Sequence, residues 1–102
     1  MICNAVCTVF RIDGDDIYPV WQGECMWQEV SGIEVKKYGA ENADKAAVFI
    51  PDINADICDG DIVIRGECSD GEYAARNGLK IMSVTQNDFG SDDMQHIELG
   101  AR

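Results

Sequence analysis

Gly78-Leu79-Lys80-Ile81-Met82-Ser83-Val84-Thr85, then Gln86-Asn87-Asp88-Phe89-Gly90-Ser91-Asp92-Asp93, then Met94-Gln95-His96-Ile97-Glu98-Leu99-Gly100 decide the fold. The first stretch reads as a strand, the second as an exposed acidic turn, and the third as a strand that returns. Two strand-like runs joined by so polar a loop make a hairpin. A hairpin in this position closes a sheet rather than building a pocket. It contains no group with an obvious chemical task.

Upstream, the same texture continues. Ile2 to Ile12 is a strand candidate whose alternation is imperfect. Ile2, Val6, Phe10 and Ile12 share one parity, and Cys3, Ala5, Cys7 and Val9 the other. An apolar residue set on both faces predicts a strand that is central or covered on both sides. Asp13-Gly14-Asp15-Asp16 is a turn, and Asp-Gly is a strong hairpin signal. Ile17 to Gln22 then returns antiparallel, with Pro19 restricting it to an edge or a bulge.

Glu24 to Val30 and Ile33 to Tyr38 are the next strands, separated by Ser31-Gly32. Gly39 to Asp44 is a polar loop. Lys45 to Ile50 is a short apolar run stopped by Pro51 and reads as a buried strand. Asp52 to Asp61 is a long acidic connection, and Asp61 to Gly66 a further strand. Ser69 to Asn77 has room for one short helical turn around Tyr73-Ala74-Ala75, too short to be stable alone. Seven or so short strands with turn signals every 8–12 residues predict a mainly β chain. A small antiparallel β-barrel or sandwich is expected, with long loops and at most one short helix. Closure into a barrel removes exposed edges.

The chain has 102 residues, which predicts a single domain over 1–102. A domain of this size buries about two-thirds of its unfolded surface, enough for one modest core. There is no run of about 18 apolar residues, so no membrane helix is expected. No basic segment followed by an apolar stretch opens the sequence, so no secretion signal is expected either. Nineteen acidic residues against eight basic ones give a net charge of −11. That balance opposes a grip on nucleic acid, which needs Lys and Arg at the phosphates. It equally opposes binding to an anionic membrane. It permits a position beside DNA, because an acidic wall repels a polyanion and lets it slide.

Cys3, Cys7, Cys25, Cys58 and Cys68 contain no C-x-x-C pair. Cys3 and Cys7 lie four apart on a strand, roughly 13 Å between Cα atoms, too far for a bridge. The thiols are expected to be small buried hydrophobes in a reducing compartment. Asp52-x-Asn54-x-Asp56 begins like a calcium loop, but the sixth and twelfth positions, which need Gly and Glu, hold Ile57 and Val63. A solvated turn is the expected reading there and at Asp13, Asp15 and Asp16. His96 is the sole histidine and has no evident nucleophile or orienting partner. No metal, no cofactor and no catalytic residue is expected. A metal-dependent enzyme built on Asp52, Asn54, Asp56 and His96 is the weakest reading. Aromatic and Met side chains are enriched at the centres of protein interfaces. Trp27, mid-strand, is expected in the core. Tyr18, Trp21, Phe89, Asp92 and Met94 are the candidate contact residues, on loops 13–23 and 86–94. For Phe89, folding back over the sheet end is the competing reading.

Several segments carry a family resemblance in their order. They are Glu41-Asn42-Ala43-Asp44-Lys45-Ala46-Ala47-Val48-Phe49-Ile50-Pro51, Asp59-Gly60-Asp61-Ile62-Val63-Ile64-Arg65-Gly66, Ile81-Met82-Ser83-Val84-Thr85, Gly90-Ser91, and Met94 to Gly100. The series resembles a family of small prophage proteins, the head-completion or neck proteins of tailed phages of Gram-positive bacteria. That pattern runs E-N-A-D, an apolar strand ending in I-P, G-D-I-hydrophobic-hydrophobic-x-G, and a terminal S-V-x-x-N/D-x-x-G-S…H-W-E-V-G. The likeness covers residues 41–100, about three-fifths of the chain. Ile97 stands where the pattern has Trp, and the N-terminal third matches little.

The resemblance implies a small β-barrel in the virion neck, assembled in the host bacterial cytoplasm. It implies a head closure, stopper or connector protein that joins head to tail. Its partners would be copies of itself in a ring, the portal or adaptor and tail proteins, and DNA in passage without sequence-specific binding. The ring would be twelvefold on the portal–adaptor stack and sixfold at the tail end. The rival reading is a soluble small β-barrel that binds a protein or peptide partner through its acidic face.

Overall fold

The Asp13-Gly14-Asp15-Asp16 turn reverses the chain between β1 (Ala5–Asp13) and β2 (Asp16–Glu29). The structure, a computed structural model, describes residues 2–29, 45–88, 90 and 94–102. The other elements are β3 (Ala46–Ile50), β4 (Ile62–Arg65), the helix α1 (Gly71–Asn77), β5 (Leu79–Asn87) and β6 (His96–Ala101). The six strands form a closed barrel in the order β1-β2-β3-β6-β5-β4. Every neighbouring pair is antiparallel. The ring closes where Cys7 to Phe10 of β1 pair with Arg65 to Ile62 of β4.

Side chains of one parity fill the interior. Cys7, Val9, Cys25, Val48, Ile50, Val63, Ile81 and Leu99 are fully buried there. The other parity of β1 is buried as well. Phe10 packs with Ile62, Ile64 and Ala74 outside the barrel wall, beneath α1. The two-faced apolar character of β1 has this cause: one face looks inward and the other lies under the helix. Fully burying a side chain such as Phe10 contributes roughly 1.5–3 kcal/mol. α1 could not persist alone at its length. It is held by this packing and by Asp70, whose Oδ1 accepts from the Glu72 and Tyr73 N–H groups at 3.0 and 3.2 Å.

Several boundaries differ from the sequence reading. Ile17–Gln22 and Glu24–Val30 are not two strands, because β2 runs unbroken across both as far as Glu29. Pro19 is absorbed by a bulge, with Val9 opposite Trp21 and Phe10 opposite Pro19. Gly23 does not break β2. It lies under the Trp21 ring, whose Cζ2 would stand 2.8 Å from an added Cβ. Gln86 and Asn87 belong to β5, opposite Ile97 and His96, whereas Met94 and Gln95 precede β6. Six strands stand among the described residues, with β2 taking the place of two expected ones. The expected strand Ile33–Tyr38 and the Glu41–Asp44 motif lie outside the described residues. Ile97, the departure from the Trp of the resembling pattern, is buried in the core.

The motif around β4 has a backbone reason. Gly60 and Gly66 bracket the strand with φ of 93° and 96°. L side chains rarely adopt that region, so glycine is needed where the chain enters and leaves. Thr8, fully buried, fixes the exit. Its hydroxyl donates to the Gly66 carbonyl at 2.9 Å and accepts from the Cys68 N–H at 3.2 Å.

Candidate functional site: the acidic end of the barrel

The register brings three connections to one end of the barrel: the β1–β2 turn, the 51–61 connection and the β5–β6 loop. The first carries Asp13, Asp15 and Asp16. The second carries Asp52, Asp56, Asp59 and Asp61, and Asp88 begins the third. Among the described residues, Arg11 is the one cation at this end.

The 51–61 connection acts as a lid. Ile57 is buried, and Ile53 and Ala55 pack on the interior cluster, so the segment plugs the barrel. Arg11 locks it. Its Nε and Nη2 donate to the two Asp61 carboxylate oxygens at 3.1 and 3.0 Å. Nη1 donates to Asp56 Oδ2 at 3.2 Å and Nη2 to the Asp56 carbonyl at 3.1 Å. Asp61, buried, also accepts from the Cys58 N–H at 2.9 Å. Hydrogen bonds to Asp61 and Asp56 push the guanidinium further above its ordinary value. Two further ties hold the lid: Trp21 Nε1 donates to Asp52 Oδ2 at 3.3 Å, and Gln86 Nε2 to the Ile53 carbonyl at 2.9 Å. The calcium-like carboxylates are therefore engaged locally, with Asp52 Oδ1 also accepting from the Asn54 N–H at 3.0 Å. Among the described residues no group of three or more metal-ligating side chains is placed to hold an ion.

His96 sits beside this end as a fastening of the closing hairpin. Nδ1–H donates to the Met94 carbonyl at 3.0 Å, and Nε2 accepts from Asn87 Nδ2 at 3.1 Å. Its ring meets Phe49 at 5.7 Å between centroids. Both nitrogens are occupied, an arrangement that holds a turn rather than presenting a base.

Of the candidate contact residues, Tyr18 and Met94 are exposed, at 40% and 61%. Ile12 joins them at 47%. Trp21 is half-buried against the core and tied to Asp52. Phe89 and Asp92 lie outside the described residues. Trp27 is buried as expected. Sequence reading missed Arg11 and Asp61, whose 50-residue separation hides their pairing. A signal existed: Arg11 is the one charge in the run from Val6 to Ile12. A second feature missed is the cleft between the first hairpin and the start of α1, lined by Asp15, Asp16, Ser69, Asp70 and Glu72. It extends the acidic surface.

A family of unknown function (DUF6751) matches residues 2–102. The chain belongs to DUF6751. No curated protein and no solved structure matches it. In this DUF6751 member the acidic end combines fixed backbone, dense carboxylates and isolated exposed apolar side chains. Chemically, such a surface can repel a polyanion or receive a basic partner. Among the described residues no helix is long and apolar enough to cross a membrane.

Proposed function

We propose that this DUF6751 chain is a virion structural protein of the phage head–tail junction, a head closure, stopper or connector component that works as a ring in the neck. The observation that carries the reading is where the resembling segments fall. They supply β3, β4, the middle of β5 and β6, though not residues 52–58 of the lid, so the likeness follows contiguous barrel wall rather than scattered surface. The acidic end supports it. Loops gathered at one end of a rigid barrel suit contacts with rings above or below, and closed symmetry repeats the same patch on every subunit. Carboxylates facing a lumen let DNA pass without adhesion. Assembly takes place in the host bacterial cytoplasm, with portal or adaptor and tail proteins as neighbours.

The test is a loop exchange. Residues 88–93 are replaced by Asn-Gly, which keeps Gln86 on the lid and the Asn87–His96 bond, and Met94→Ser and Tyr18→Ser are added. The variant protein is expected to melt near the parent while a prophage carrying it yields separate heads and tails. Infectious particles at the parental titre would refute the assignment.

A further inference from the structure

The barrel wall is incompletely sealed between β4 and β5. They pair through Ile62 with Lys80 and Val63 with Leu79 alone, because β5 starts directly after α1 and Gly78. β4 runs two residues further, to Arg65. The Gly66 N–H donates to the Val6 carbonyl at 2.6 Å, and antiparallel strands exchange bonds at alternate opposed pairs. Ile64 therefore bonds toward β1. The N–H and C=O of Arg65 point the other way, to where β5 would need a residue at position 77. Asn77 instead ends the helix. One donor and one acceptor of a strand edge are left facing a gap, the feature to which a further strand adds.

That gap opens into a groove of about 230 Å³ lined by Trp27, Val63, Arg65, Tyr73, Asn77 and Leu79. Tyr73 is 49% exposed at its edge. Arg65 lines the groove and is exposed; Arg76, next to Asn77 in the last turn of α1, and exposed Lys80, next to Leu79, flank it, while at the Trp27 wall the Glu29 carboxylate accepts from the indole N–H at 3.1 Å. Arg65 makes no ion pair among the described residues. The groove lies at the end of the barrel opposite the aspartates.

We propose that this groove binds an extended peptide segment of a partner protein in which apolar and acidic residues alternate, added as a short strand along Arg65. The backbone of such a segment pairs with the open N–H and C=O. A strand sends alternate side chains to opposite faces. One set faces inward with Val63, Leu79 and Arg65, which share a parity on the wall, and the carboxylates of the other face outward on the side that carries Lys80. The inference stands independently of the junction role, since it uses the other end of the barrel.

The test is fluorescence anisotropy with the whole chain and a fluorescein-labelled octapeptide of alternating Val and Glu. Saturable binding is expected. The alternating Val and Lys octapeptide should bind at least tenfold more weakly, as should a Val and Glu octapeptide N-methylated at alternate amides. The exposed pair Arg65→Gln and Lys80→Gln, with an unchanged thermal melt, should lose at least tenfold as well. Absence of saturable binding to the parent chain overturns the proposal. So does equal affinity for the Lys peptide, for the N-methylated peptide, or with the charge variant.

Discussion

Arg11 and Asp61 do more for this molecule than any other polar pair described, because together they hold the lid on the barrel. Asp61 retains only 5% of its side-chain surface and Arg11 24%. Removing the guanidinium strands a buried carboxylate, which is the damaging way to break an ion pair. Arg11→Met is expected to destabilise the fold by about 2–4 kcal/mol, somewhat under the range for a fully buried pair. Urea unfolding measures it. Adding Asp61→Leu should recover part of the loss, and a further drop would show that the pair is not what matters. The thiols make a second residue-scale prediction. Cys58 is exposed and Cys3 and Cys68 half-buried, whereas Cys7 and Cys25 are fully buried. A thiol reagent at pH 8 should label the first three in the native state and the last two only in denaturant. A hydrogen bond with Cys25 and burial push the Cys7 thiol up from its ordinary 9.0. A group raised in the folded state contributes its full stability below the unfolded value and loses it as the pH climbs toward the folded one. The melting temperature should therefore fall as pH rises above about 9. The Cys7→Ala variant should show a shallower fall, and an unchanged slope would remove Cys7 as its cause.

At the level of elements, the join between α1 and β5 is the tightest place in the wall. A Cβ on Gly78 would lie 2.6 Å from the Ala74 carbonyl oxygen, 2.6 Å from Ile62 Cγ2 and 2.9 Å from the Val63 carbonyl oxygen. Two of the three are backbone, which cannot rotate away. Gly78→Ala should destabilise by about 1–3 kcal/mol, as overpacking does, and widen the β4–β5 seam. Hydrogen exchange at Leu79 and Lys80 should speed up first, and protection equal to the parent would contradict the geometry. Gly78 read from sequence was simply the start of a strand, because nothing local records how near Val63 approaches. The strands themselves were legible where alternation was clean or a turn residue intervened, as at Gly14 and Pro51. Boundaries failed where a tertiary contact overrides the local signal. Gly23 fell between two expected strands, yet the Trp21 ring covers it within a continuous β2. Gln86 and Asn87 looked like loop, yet the lid and His96 hold them in register. Of the candidate site, the exposed Tyr18 and Met94 and the acidic loops could be found in one dimension. The Arg11 lock could not, since its partners come from 45 and 50 residues away.

For the molecule as a whole, the two ends of the barrel differ in charge. Aspartates gather at the lid end, while Lys45, Arg65 and Lys80 stand toward the other and offset Glu24, Glu29 and Glu67 there. A rigid barrel with unlike ends suits stacking between two different neighbours, because each end selects its own partner by charge. That geometry suits the proposed neck role, and a net charge of −11 conceals it because composition carries no positions. The role proposed for this chain is to join heads to tails. Negative-stain imaging of particles from a prophage that lacks only this chain tests it most directly. Heads that leak DNA alongside detached, complete tails are expected, with joining restored when the chain is supplied in trans. Tailed, DNA-filled virions at normal abundance in its absence would contradict it.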